Sequence, residues 1–145
     1  MEGRPRIGSI IAGTVRAKEL IPAFSEVLAQ LDTERRYRAL TRPARATTPD
    51  KAAEHLEAVV EALAEFAPPY TYFGAHWGDG ADWGYWPDWD AIEEDRRSGE
   101  LASGDELPAN GSRDGLYLHV SDHGNAELYA WSLEQRAWRS VWGIV

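Results

Sequence analysis

YTYFGAHWGDGADWGYWPDWDAIEED, residues 70–95, decides how this chain folds. It interleaves four tryptophans, Trp77, Trp83, Trp86 and Trp89, with the carboxylates of Asp79, Asp82, Asp88, Asp90, Glu93, Glu94 and Asp95. Indole rings gain by burial and carboxylates lose by it, so the segment must separate the two. Tyr70, Tyr72 and Phe73 lead as an extended run into His76 and Trp77, and the GDGAD block, Gly78–Asp82, reads as a turn. Trp83-Gly84-Tyr85-Trp86 resumes extended structure, so the two runs form a hairpin. Alternation sends Trp77 and Trp86 into the core, together with Trp131 and Trp142 further on. Pro87 ends the hairpin, and Asp88 caps a short acidic helix that runs through Arg97.

Upstream, the grammar is helical. Leu20, Ile21, Phe24, Val27, Leu28 and Leu31 recur at helical spacing, with Pro22 early enough to place the helix start near Leu20. A second helix follows Thr48, a suitable N-cap, with Pro49 in the first position and Asp50 at the positive end of the dipole. Its stripe is Ala52, Leu56, Val59, Val60, Leu63 and Phe66, and Pro68-Pro69 stops it. IGSIIAGTV, residues 7–15, reads as a short strand or buried turn. The arginine-rich residues 32–50 read as a basic linker and residues 98–114 as a polar loop. Downstream, LYLHVSD and AELYAW flank His123-Gly124-Asn125 as a second hairpin, and WRSVWGIV supplies a last strand. The sum is an α+β fold. About five antiparallel strands pack against two principal helices, with the short acidic helix as a third.

Composition bounds what such a fold can do. The 145 residues suit a single domain, 1–145, and can bury roughly 68–70% of the extended chain's surface. The absence of cysteine excludes disulfides, thiolate metal sites and a cysteine nucleophile. Neither a signal peptide nor a run of about 20 apolar residues is visible, so a cytoplasmic protein away from membranes is expected. The net charge of −9 is local: residues 79–106 hold ten acids against Arg96 and Arg97. That field repels phosphates, which argues against direct nucleic-acid binding, and attracts cationic surfaces. The opposite patch, Arg35, Arg36, Arg38, Arg42 and Arg45, reads as a solvated part of the linker.

Three constellations could carry chemistry. The GDGAD block lacks the alternating oxygen ligands and distal glutamate of a calcium loop, and lacks the lysine of a phosphate cradle. His76, Asp79 and Asp82, with Trp86 and the second turn's His119, Asp122 and His123, could form a ligand site or a general acid–base pair. Their spacing matches no metal motif, and Asp122-His123-Gly124-Asn125 is also ordinary turn chemistry. No metal, cofactor or catalytic residue is assigned, and the chain reads as a binder rather than an enzyme; a hydrolase using His119 or His123 with Asp122 is a third, thinner reading. The third constellation is the aromatic set, of which one or two rings would be left to anchor a partner.

GTVRAKELIPAFSEVLAQL at 13–31, YFGAHWGDGADWGYWPDW at 72–89, HVSDHGN at 119–125 and VWGIV at 141–145 together resemble blocks of a group of small proteins encoded by bacteriophages and other mobile elements. The resemblance covers most of the chain outside 32–50 and 98–114. It implies a genomic setting and supplies no activity. Small acidic proteins from that setting are similar in character to anti-restriction and anti-CRISPR proteins, which present carboxylates where host machinery expects phosphates. The expectation is therefore an accessory protein that inhibits a host defence complex by binding a basic surface. Asp79, Asp82, Asp88, Asp90, Glu93, Glu94 and Asp95 would supply charge, and Trp83 or Trp89 an apolar anchor. The alternative is a small-ligand or nucleotide-signal binder built on the aromatic hairpin and the His/Asp turns.

Overall fold

A computed structural model describes residues 5–42, 48–113 and 115–144. The chain is α+β and divides into two compact units, Met1–Pro87 and Asp88–Val145. Where one sheet was expected there are two, one in each unit. The first unit runs β1 (Gly8–Ala12), α1 (Ala17–Leu31), α2 (Arg38–Thr41), α3 (Pro49–Ala64), β2 (Thr71–His76) and β3 (Asp79–Pro87). The second runs α4 (Trp89–Ser98), β4 (Ala102–Gly104), β5 (Leu116–Val120), β6 (Ala126–Ser132) and β7 (Ala137–Ile144). Among the described residues no helix is long and apolar enough to cross a membrane.

In the first unit, β3 is the central strand, with β1 and β2 antiparallel on either side. Period-2 alternation sends Phe73, Trp83 and Tyr85 to one face and Tyr72, Asp82 and Trp86 to the other. The helices cover the first face. Leu20, Phe24, Leu28 and Leu31 of α1 and Val59, Ala62 and Leu63 of α3 close a core with Phe73 and Tyr85. Helix α1 begins at Ala17, ahead of the expected start, and carries Pro22 inside it. Lys18, whose carbonyl Pro22 cannot serve, is exposed, as is Pro22, so water can serve it instead. Helix α3 starts as its sequence dictates, with the Thr48 hydroxyl accepting from the Lys51 N–H at 3.2 Å and Pro49 at the first turn.

The stretch expected as a linker is partly built into this unit. Asp32, only 5% exposed, accepts from the backbone N–H groups of Arg36 at 2.9 Å and Tyr37 at 2.7 Å. That carboxylate turns the chain out of α1 and into the single turn of α2. Tyr37 then sits edge-on to Phe66, its hydroxyl donates to Glu65, and the Arg36 guanidinium lies 5.3 Å from the Tyr37 ring. A His55 ring nitrogen meets the Leu40 carbonyl at 2.8 Å. Arginine-rich composition concealed these ties, because what orders the segment is one aspartate and two aromatic rings. Residues 43–47, Arg45 among them, lie outside the described residues, as do Asp114 and Val145.

Tyr85 crosses the first core. It is fully buried, and its hydroxyl donates to the Leu63 carbonyl at 2.6 Å. Burial pushes its pKa far above the ordinary phenol range. An unfolded tyrosine ionises near about 10, so above that pH the unfolded chain binds fewer protons than the folded one. Stability should therefore fall as pH rises past about 10. Tyr85→Phe should cost about 1 kcal/mol at neutral pH, since the Leu63 carbonyl still accepts from Phe66, and should flatten the alkaline loss. Urea unfolding at neutral and alkaline pH measures both, and an unchanged alkaline slope in the variant would contradict this account.

In the second unit the sheet order is β4-β5-β6-β7. Strands β5, β6 and β7 are antiparallel, and the three-residue β4 pairs parallel to β5. The hairpin expected between LYLHV and AELYAW is present in register from Leu116↔Ala130 to Val120↔Ala126. Leu118, Leu128 and Trp142 line up across three strands and are buried. On the opposite face Tyr117, Trp131 and Trp138 cluster, with Trp131 and Trp138 5.2 Å apart. The Trp138 indole N–H donates to the Pro108 carbonyl at 2.8 Å, tying the 105–113 segment to that cluster. The expected polar loop 98–114 therefore contains β4, a buried Leu101 and this anchor.

Candidate functional site

The opening stretch divides between the units. Residues 70–87 form the β2–β3 hairpin, and its turn is Trp77-Gly78, since His76 pairs with Asp79. The GDGAD block is thus mostly the start of β3 rather than the turn. This displaces Trp77 from the expected core to the hairpin tip, where it is 59% exposed. Trp86, Trp131 and Trp142 are buried as expected. Trp83 packs against the helical core 5.7 Å from Phe24, with its indole nitrogen buried and without a hydrogen-bond partner among the described residues, so it is a poor outward anchor. Trp89, the other expected anchor, is half-buried in the first turn of α4.

The carboxylates have separate duties. Asp79 accepts from the Ala81 N–H at 3.0 Å, closing a local turn, and Asp82 accepts from the Ser9 hydroxyl of β1. In the second unit Asp88 caps α4, accepting from the Ala91 N–H at 3.1 Å. Gly99, left-handed at φ 88°, ends the helix, and Arg96 and Arg97 occupy its last turn, where cations suit the dipole. Ile92 is buried, and Glu93 pairs with Arg96 at 2.8 Å. Asp95 is half-buried, and its backbone carbonyl accepts from Leu101. Asp90 and Glu94, four residues apart on one face, are exposed, and their carboxylates make no hydrogen bond or ion pair among the described residues.

The alternative ligand set is also split between the units. His76 sits beside Trp86 at the hairpin tip. In the second unit a His119 ring nitrogen meets the Asp105 carbonyl at 2.9 Å, and the ring stands 6.4 Å from Tyr129. Burial first, and then the Glu127 carboxylate, push the Tyr129 hydroxyl above its ordinary pKa. Asp122 and His123 stand exposed on a turn closed by Ser121, Gly124 and Asn125. Among the described residues no three His, Asp or Glu side chains gather where they could hold a metal ion. A depression of about 420 Å³ in the first unit lies elsewhere, lined by Ile7, Ile10, Val27 and Leu31.

The feature that sequence reasoning missed is the Trp77 stack. The two-residue spacing of Trp77-Gly78 between His76 and Asp79 was the available signal, and the two glycines and two aspartates of GDGAD drew the turn too far along. Comparison with known proteins supplies no family: no protein-family model, curated protein or solved structure matches the chain.

Proposed function

We propose that this chain is a mobile-element accessory protein that inhibits a host defence complex by occupying its basic, nucleic-acid-binding surface. The observation that carries the reading is α4, a capped helix whose Asp90 and Glu94 carboxylates face solvent with no partner among the described residues. The second unit reinforces the field with twelve acids against five arginines. Charges placed this way steer encounter and make association salt-sensitive. Nucleotide binding at the aromatic hairpin is the second reading, and it ranks lower because Asp79 and Asp82 on that hairpin repel an anion.

The test is Asp90→Lys with Glu94→Lys, which spares the capping Asp88 and the paired Glu93. A tagged wild-type chain should retain a nucleic-acid-handling complex from host lysate at low salt and release it at high salt. The double variant, with an unchanged circular dichroism spectrum, should bind that complex on the order of tenfold to a hundredfold more weakly. Equal retention by wild type and variant, or retention indifferent to salt, would remove α4 from the mechanism.

A further inference from the structure

The β2–β3 hairpin ends in a stack of aromatic rings at its exposed tip. Trp77 stacks on His76 with ring centroids 3.9 Å apart and planes 28° apart. Both rings stand edge-on to Trp86, at 4.7 Å from His76 and 6.2 Å from Trp77. Trp86 is buried, and its indole N–H donates to the Gly74 carbonyl at 3.0 Å, so the stack rests on a fixed ring. The Gly78 N–H donates to His76 Nδ1 at 2.9 Å, which orients the imidazole and places any single ring proton on Nε2. An indole held this way loses little conformational entropy on meeting a partner. Its 59% exposure is large for a tryptophan so well supported from beneath.

The acidic and basic side chains of the hairpin itself are of one sign. Asp79 is exposed directly across the turn from His76, and Asp82 follows on the same strand. Between Lys51 and Arg96 the chain has no lysine or arginine, so the hairpin carries no cation of its own. A π face beside carboxylates is the chemistry that holds a cation. Between the two cationic side chains, the flat and weakly hydrated guanidinium stacks on an indole better than a compact ammonium does. Phosphates and anionic lipid surfaces are both repelled by the same acids.

We infer that the hairpin tip captures an arginine side chain of the partner protein, the guanidinium lying on the Trp77 indole and pairing with the Asp79 carboxylate. The inference rests on reading the chain as the binder of a cationic protein, and it adds a contact in the first unit that does not depend on α4.

The experiment uses the full chain with two labelled, amidated peptides, one of six arginines and one of six lysines. Anisotropy should give the arginine peptide an affinity about three- to tenfold higher, and the Trp77 indole N–H resonance should shift on its addition. Trp77→Ala, which removes an exposed ring, should equalise the peptides and leave the lysine peptide's affinity unchanged. Asp79→Asn should weaken both. Equal affinities in the wild type, or a preference that survives Trp77→Ala, would overturn the inference and leave the charge reading standing. Failure of both peptides to bind at low salt would overturn the reading of a cationic partner and the inference with it.

Discussion

Gly84→Ala is expected to cost the first unit about 3 kcal/mol, because the added methyl has nowhere to go. A Cβ at Gly84 would lie 2.0 Å from the Gly8 carbonyl oxygen, 2.9 Å from its carbon and 3.1 Å from the Ser9 Cα. All three atoms are backbone, so no rotamer change relieves the contact. Either β1 lifts away, giving up the packing of Ile10 and Ile11 and the Ser9–Asp82 bond, or β3 shifts and carries Tyr85 with it. Gly74→Ala is the matched control. Its Cβ would meet only the Tyr72 ring at 3.4 Å, an ordinary contact, and it should cost under about 1 kcal/mol. Urea midpoints for the two variants decide the matter. Similar costs at both positions would mean that β1 does not press on β3 as closely as described.

Phe24→Ala should be at least as damaging, at about 3–5 kcal/mol. Phe24 is fully buried where α1 meets the sheet, edge-on to Phe73 at 5.1 Å and tilted on Trp83 at 5.7 Å. Its removal opens a void against two large rings that are themselves fixed by strand pairing, so the site has little room to collapse. Domains are commonly stable by about 5–15 kcal/mol, so a loss of this size uses a large part of the total. Glu26→Ala, on the exposed side of the same helix, should stay within about 0.5 kcal/mol. Chemical denaturation of the pair separates the two faces of α1. A Phe24→Ala cost near that of Glu26→Ala would show that the core forms without this ring.

Much of the secondary structure was legible because its signals are local. Thr48-Pro49-Asp50 marks the start of α3, Asp88 marks the start of α4, and SDHGN marks the second turn, each through hydrogen bonds within a few residues. What was not legible depends on contacts distant in sequence. That β3 pairs with both β1 and β2, so that the chain builds two sheets, follows from long-range packing that periodicity does not encode. The parallel β4 is three residues long and carries no periodic pattern at all. The tryptophans were misassigned for a related reason. A residue type says that a ring should be covered, and only the register, set by a two-residue turn, says that Trp77 is not. For the candidate site, the α4 carboxylates could be read from composition. Which of them are already occupied became visible only with their capping and ion-pair partners in view.

The pairing of β1 with β3 also sets an order of events on the ribosome. Ser9 and Asp82, which share a hydrogen bond across these strands, are 73 residues apart. At about 5–20 residues per second, an emerging IGSII segment waits roughly 4–15 s for the strand that will cover one of its edges. Helices α1 and α3 are complete before β3 exists, so the helical pair is the first shelter available to Ile10 and Ile11. Strand β1 therefore cannot pair before β3 emerges, and until then its apolar residues have only the helical pair to cover them.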